Sequence, residues 1–171
     1  MIKATAKLIL ALNGNVKKSQ IAAGFAWGTL LGLIPVGNAF WIVLFLVSFF
    51  FRHNHGAKIF GIAIVKLIYP LIVYPLDGLG FMILTDIDAL TPLFITMYNM
   101  PFVPFTNFNN TLVMGGLASG LILWIPVFTF FMLLIPVYRN HVAPKIRNSK
   151  IIKSIAKFPL FALVDKALSK D

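Results

Sequence analysis

The chain has 171 residues, of which 59% are hydrophobic and 12% charged, about half the charged share of ordinary soluble domains. With a mean hydropathy of +0.89 it has too little polar surface to cover its Phe, Leu and Ile side chains, which excludes a water-soluble globule and points to an all-α integral membrane protein. The length suits one domain, and the absence of cysteine excludes disulfides, thiolate catalysis and thiolate metal sites.

Charge orients the chain. The 15 Lys and Arg face 5 acids, all Asp. Lys3, Lys7, Lys17 and Lys18 precede the first apolar block, and Arg139 opens a basic stretch over residues 139–170. Lys and Arg are retained on the cytoplasmic side, so both termini are expected there, with an even number of full crossings. No Lys or Arg lies between Lys66 and Arg139, whereas Asp77, Asp86 and Asp88 do, so that stretch reads as the far side.

In chain order, residues 1–18 place Ile2, Ala6 and Ile9 on one helical face and Lys3 and Lys7 on another, as in an amphipathic segment on the cytoplasmic leaflet. A cleaved signal peptide is not expected, because the apolar run over 8–12 is short and meets Asn13-Gly14-Asn15. The first apolar block, 21–51, is interrupted by Ile34-Pro35-Val36-Gly37-Asn38. Proline removes a donor and disfavours helix in the residue before it, while Gly37 and Asn38 tolerate turns. Each arm falls short of the roughly 20 residues needed to cross the hydrocarbon core. Lys17 and Lys18 precede the first arm, and Arg52, His53, His55 and Lys58 follow the second, so the block is expected to be a re-entrant helical hairpin with Pro35 and Gly37 at its tip. The competing topology has one full crossing here and a re-entrant segment later.

Residues 57–84 form a crossing with Pro70 and Pro75 inside it, expected to be kinked. Residues 85–110 mix Asp, Pro, Asn and aromatics without sustained periodicity and read as an extracytoplasmic loop. Its Phe94, Tyr98, Phe102, Phe105 and Phe108 suit a membrane interface. Residues 111–138 return the chain across the membrane despite Pro126 and Pro136. The tail, 139–171, places Ile151, Ile155 and Phe158 at helical spacing opposite Lys150, Lys153 and Lys157, which suits the anionic inner leaflet.

Gly24, Gly28 and Gly32 form GxxxGxxxG, and Gly116 with Gly120 form GxxxG, spacings that let helices approach closely. Each set is followed by Ile-Pro-Val, at 34–36 and 125–127. The spacing from glycine to proline differs by one residue, which favours chance similarity over an internal repeat of the transporter kind.

The string Ser19-Gln20-Ile21-Ala22-Ala23-Gly24-Phe25-Ala26-Trp27-Gly28, continuing through Gly32-Leu33-Ile34-Pro35-Val36-Gly37-Asn38 and Arg52-His53-Asn54, resembles an uncharacterised bacterial inner-membrane family. In some bacteria that family's domain is fused to polyprenyl-phosphate glycosyltransferases. A stand-alone branch, which this chain resembles, is associated with outer-membrane-containing bacteria and is often encoded beside a large envelope protein. The resemblance covers about residues 19–85 and departs at Tyr69-Pro70, where the family often has Asn-Pro. It implies an inner-membrane protein with a partner across the periplasm, and it does not imply an enzyme.

No catalytic, cofactor or metal constellation emerges. His53 and His55 are two apart, which on a helix points them apart, and no Glu or Cys completes a zinc set, so a solvated helix end is the expectation. Asp86 and Asp88 read as exposed loop acids rather than a cation site. Ser119 lacks the nucleophile-elbow register, and the glycines lie at helical spacing rather than in a phosphate loop. Nucleic acid is not needed to explain charge that topology already places at a membrane surface.

Lys66 stands out, about 12 Å of helix inside the segment that starts at Lys58. A charge at that depth is costly and often functional. It is expected to pair with Asp77, eleven residues on, or to hold a lipid phosphate, unless it snorkels to the inner interface. Lys66, Asp77 and the tip residue Asn38 are therefore the lipid or ion-pair candidates.

Three readings of function follow. The first is a non-catalytic inner-membrane component that anchors or gates a large periplasmic envelope protein in phospholipid or other envelope-lipid transport. The second is a small-solute transporter or channel acting as a homo-oligomer, since two crossings enclose little. The third is an accessory to polyprenyl-phosphate-linked glycosyl transfer. Membrane lipids, including anionic inner-leaflet lipids, are the expected small partners.

Overall fold

The computed structural model describes residues 16–142. The amphipathic segments expected over 1–18 and 139–171 therefore lie outside the described residues, apart from their inner ends. The described residues are helical with no strand. Five α-helices follow one another: α1 (Lys18–Leu33), α2 (Ala39–Val47), α3 (His55–Phe81), α4 (Thr91–Tyr98) and α5 (Thr111–Val137). One compact unit runs to residue 132; of the second, the structure describes the end of α5 and the π-helical turn Tyr138–Val142.

Helix α1 stops at Ile34, which is extended because the following proline excludes helical backbone there. Gly37 then takes φ +94°, a left-handed conformation open to glycine. Asn38 caps α2, its Oδ1 accepting from the Trp41 backbone N–H at 2.7 Å. A 3-10 turn, Ser48–Phe50, ends this arm. Asn54 then caps α3 by accepting from the Ala57 N–H at 2.8 Å, while its own N–H donates to the Gln20 carbonyl, also at 2.8 Å. The chain thus leaves near Gln20, turns at 34–38 and comes back beside its starting point.

That return makes α1 and α3 parallel neighbours. A methyl added at Gly24 would lie 2.5 Å from the Asn54 carbonyl oxygen, one at Gly28 would lie 2.6 Å from that of Lys58, and one at Gly32 would lie 2.6 Å from the Val65 Cβ. Steps of four in α1 match steps of four in α3, so two backbones meet along a glycine stripe. Helix α5 runs antiparallel to both. Gly115 lies against the Leu76 carbonyl, Gly80 against that of Thr111, and Gly116 against that of Leu33. Trp27, Leu30, Ile34 and Val113 are buried together where α1 and α5 meet.

Two helical stretches, His55–Asp86 and Thr111–His141, have mean hydropathies of 2.0 and 2.3 and are long and apolar enough to cross a membrane. Only 17% and 11% of their most apolar windows are buried, the reverse of a core helix in a soluble protein. Leu67 and Leu71 are each 81% exposed, and such faces need a non-aqueous neighbour.

The interval 85–110 differs from the loop expected there. It holds the end of a π-helical turn (Met82–Asp86), a 3-10 turn (Asp88–Leu90), α4, and a second 3-10 turn (Val103–Thr106). Pro92 in the first turn of α4 suits a helix start, but eight residues are too few to show a period. The two Ile-Pro-Val triplets also part company. Residues 125–127 lie inside an unbroken α5, because no glycine and cap residue follow them as Gly37 and Asn38 follow 34–36.

Candidate functional site

The polar groups cluster at the two ends of the α1–α2 pair. At its turn, the last carbonyls of α1 have no intrahelical donor, and in an apolar setting each orphan costs several kcal/mol. Three side chains donate to carbonyls here, one within α1 and two just past its end. Trp41 Nε1 donates to the Leu31 carbonyl at 2.8 Å, Asn38 Nδ2 to that of Pro35 at 2.8 Å, and Lys66 Nζ to that of Ile34 at 2.8 Å. The Lys66 ammonium also sits 4.6 Å from the centre of the Tyr69 ring, and the buried Tyr69 hydroxyl has no hydrogen-bond partner. The negative end of the α1 dipole meets the cation of Lys66.

At the other end lies Lys58, 1% exposed. Its Nζ donates to Ser48 Oγ at 2.7 Å and lies 4.4 Å and 4.0 Å from the ring centres of Phe45 and Phe49. The lysine thus ties α3 to the returning arm through a hydroxyl and two aromatic faces. Ser48 and Lys58 have the proximity of a serine–lysine pair, yet the hydroxyl donates to the Phe45 carbonyl at 2.6 Å and is fully buried, so it is committed to structure. Beside it, His53 packs on Trp27 and its Nδ1 bonds the Phe51 carbonyl at 2.9 Å. Burial holds the His53 imidazolium well down, to about 4, with the positive charge of Lys58 and the neighbouring His55 adding to the effect.

Two expectations change here. Lys66 does not meet Asp77: it turns to the end of α1, whereas Asp77 accepts from the Thr111 hydroxyl across the α3–α5 pair. The lysine reaches a nearby orphan carbonyl, and Asp77 finds a hydroxyl close by. His53 is not a solvated helix end either; it is 8% exposed and its ring centre lies 4.6 Å from that of His55. Helical spacing does not separate the two histidines, because α3 begins only at His55. No group of three or more His, Cys, Asp or Glu side chains is placed to hold a metal among the described residues.

Asn38, Pro35 and Gly37 are all at the turn, and Gly24, Gly28, Gly32, Gly116 and Gly120 are all at helix contacts. Sequence reasoning missed Gly61, Gly80 and Gly115 as contact residues and the burial of Lys58. A usable signal for Lys58 was Ser48, the lone polar residue in an otherwise apolar and aromatic run over 45–51.

The chain is 29% identical over 160 residues, 94% of its length, to an uncharacterised protein of Treponema pallidum, covering 98% of that protein. No family model matches it, and no solved structure does.

Proposed function

We propose that this is a multi-pass protein of the bacterial inner membrane with both termini cytoplasmic, in which α1 and α2 are a re-entrant hairpin and α3 and α5 are full, proline-kinked crossings. Within that frame it serves as a non-catalytic component of a cell-envelope complex, anchoring or gating a large periplasmic partner that handles phospholipid or another envelope lipid. The observation that carries this reading is the Lys66 bond to Ile34, which holds a helix break and a cation between faces as apolar as those of Leu67 and Leu71. Irregular backbone is tolerated at membrane depth only where protein or a polar cavity receives it, and proteins that move charged or polar groups through lipid build such breaks. The resemblance over 19–85 to an envelope-associated membrane family supports the same reading, as does the confinement of Lys and Arg to Lys66 and earlier and to Arg139 and later.

The test is purification of the tagged protein from its host in native nanodiscs, with mass spectrometry of co-purifying proteins and lipids. A large periplasmic protein with enriched phospholipid is the expected result. A homo-oligomer carrying neither would overturn it in favour of a small-solute transporter or channel, and a co-purifying glycosyltransferase would favour the polyprenyl-phosphate accessory.

A further inference from the structure

His53 carries a lone pair that no described residue uses. Its Nδ1 lies 2.9 Å from the Phe51 carbonyl oxygen, an atom that can only accept. Nδ1 therefore holds the ring proton, and Nε2 is the lone-pair nitrogen of the neutral imidazole. That Nε2 is buried without a hydrogen-bond partner among the described residues, in a side chain that is 8% exposed. An acceptor enclosed in this way is unfavourable until a donor or a metal ion meets it. The arrangement is the one that metal-bound histidines adopt: one ring nitrogen donates to a carbonyl, which fixes the ring, and the other faces the ion.

A second imidazole is at hand. The ring centre of His55 lies 4.6 Å from that of His53, at an interplanar angle of 72°. Asn54, between them, is extended at φ -80° and ψ 112°, and extended backbone sends side chains two apart to the same side. A nitrogen bound at about 2.1 Å puts its ring centre about 3.2 Å from the ion, so ring centres 4.6 Å apart subtend about 90° there. That is the angle between adjacent ligands in the tetragonal coordination of copper(II) and nickel(II), ions that imidazole suits, and it is narrower than the tetrahedral angle of zinc.

The surroundings fix the affinity class. His53 is held by the Phe51 bond and by stacking on Trp27, so His55, whose side chain is exposed, supplies any adjustment and leaves the outer positions to solvent. The charge of Lys58 acts on both rings and opposes a cation, as does the positive end of the α3 dipole. The Lys58 ammonium is engaged by Ser48 and by the Phe45 and Phe49 faces, so it weakens binding without taking the lone pair.

We propose that His53 and His55 form a two-imidazole site for a divalent copper or nickel ion, with His53 Nε2 and one ring nitrogen of His55 as adjacent ligands and solvent oxygens as the others. The site needs neither the lipid reading nor the topology.

Full-length protein without a histidine tag, in phosphatidylcholine nanodiscs, is titrated with copper(II), and pulsed electron paramagnetic resonance counts the bound imidazoles through their remote ring nitrogens. The expected result is one ion per chain carrying two imidazoles. His55→Ala, at an exposed side chain, is expected to leave one imidazole and to weaken binding at least about tenfold. His141→Ala is expected to change neither the imidazole count nor the affinity. Absence of imidazole-bound copper in the native chain at up to about 100 µM metal overturns the proposal. So does an imidazole count and affinity that His55→Ala leaves unchanged, or a loss on His141→Ala as large as that on His55→Ala.

Discussion

Lys66 Nζ donates to the Ile34 carbonyl at 2.8 Å, and this bond between α3 and the residue that ends α1 fixes where the α1–α2 turn sits. The donor is charged and the acceptor is a helix-end carbonyl, so the contact is stronger than a neutral hydrogen bond. Lys66→Met removes it while keeping most of the stem's packing. The expected cost is about 1.5–3 kcal/mol, read as a lowered thermal midpoint in detergent. Lys66→Arg retains a donor and loses less. Combining Lys66→Met with Asp77→Asn gives losses that add within about 0.5 kcal/mol, since the two side chains share no partner. Strong coupling in that cycle would restore the ion pair that the sequence suggested.

The glycine stripe makes an asymmetric prediction. A methyl at Gly28 would lie 2.6 Å from the Lys58 carbonyl oxygen and 2.9 Å from the Gly61 Cα, so α1 and α3 must part. Gly28→Ala is expected to cost about 1–3 kcal/mol. Gly78 lies in the same helix as Gly61 but has nothing within 4 Å of the added carbon. Gly78→Ala is therefore neutral or stabilising by up to about 1 kcal/mol, through helix propensity. Equal losses from the two variants would mean that contact does not decide the matter.

The Asn54 N–H donates to the Gln20 carbonyl at 2.8 Å, so the two ends of the α1–α2 pair are neighbours, and the proposed re-entrant hairpin puts both on the cytoplasmic side. The chain has no cysteine, so Lys18→Cys and Arg52→Cys each supply a unique thiol. In oriented membranes both are expected to react with an impermeant maleimide from the cytoplasmic face, and Asp88→Cys from the other. Reaction of positions 18 and 52 from opposite faces would replace the re-entrant hairpin with a full crossing.

The parts that the sequence made legible are those with local causes. Pro35, Gly37 and Asn38 act on their own backbone, so the helix break at 34–38 could be read directly, and the glycine spacing shows on one face of α1. What escaped depends on distance in the chain. The partner of Lys66 is a carbonyl 32 residues away, and any backbone could have supplied it. Lys58 looked like a cytoplasmic flank but is enclosed by Phe45, Phe49 and Ser48, which only the returning arm brings there. Proline alone was also a poor guide: Pro70 and Pro75 lie within α3, whereas Pro35, followed by Gly37, ends α1.

His53 gives the pH dependence a direction. Its imidazolium is held down to about 4 by burial, with Lys58 and His55 contributing, against about 6.5 in an unfolded chain. Between those values the unfolded state binds the extra proton, so stability falls as pH drops from about 6.5 towards 4 and is insensitive to this group above 7. Screening at the edge of the fold reduces the loss to the order of 1–2 kcal/mol. His53→Phe keeps an aromatic ring beside Trp27, 6.3 Å away in the native protein, and removes the titration. Thermal midpoints of native and variant protein at pH 7.5, 6 and 5 are expected to diverge as pH falls, with the variant the less sensitive. The rest of the chain is common to both proteins, so it is the difference between the two profiles that reports His53. Parallel profiles would mean that the imidazole takes up its proton as readily in the folded protein as in the unfolded chain.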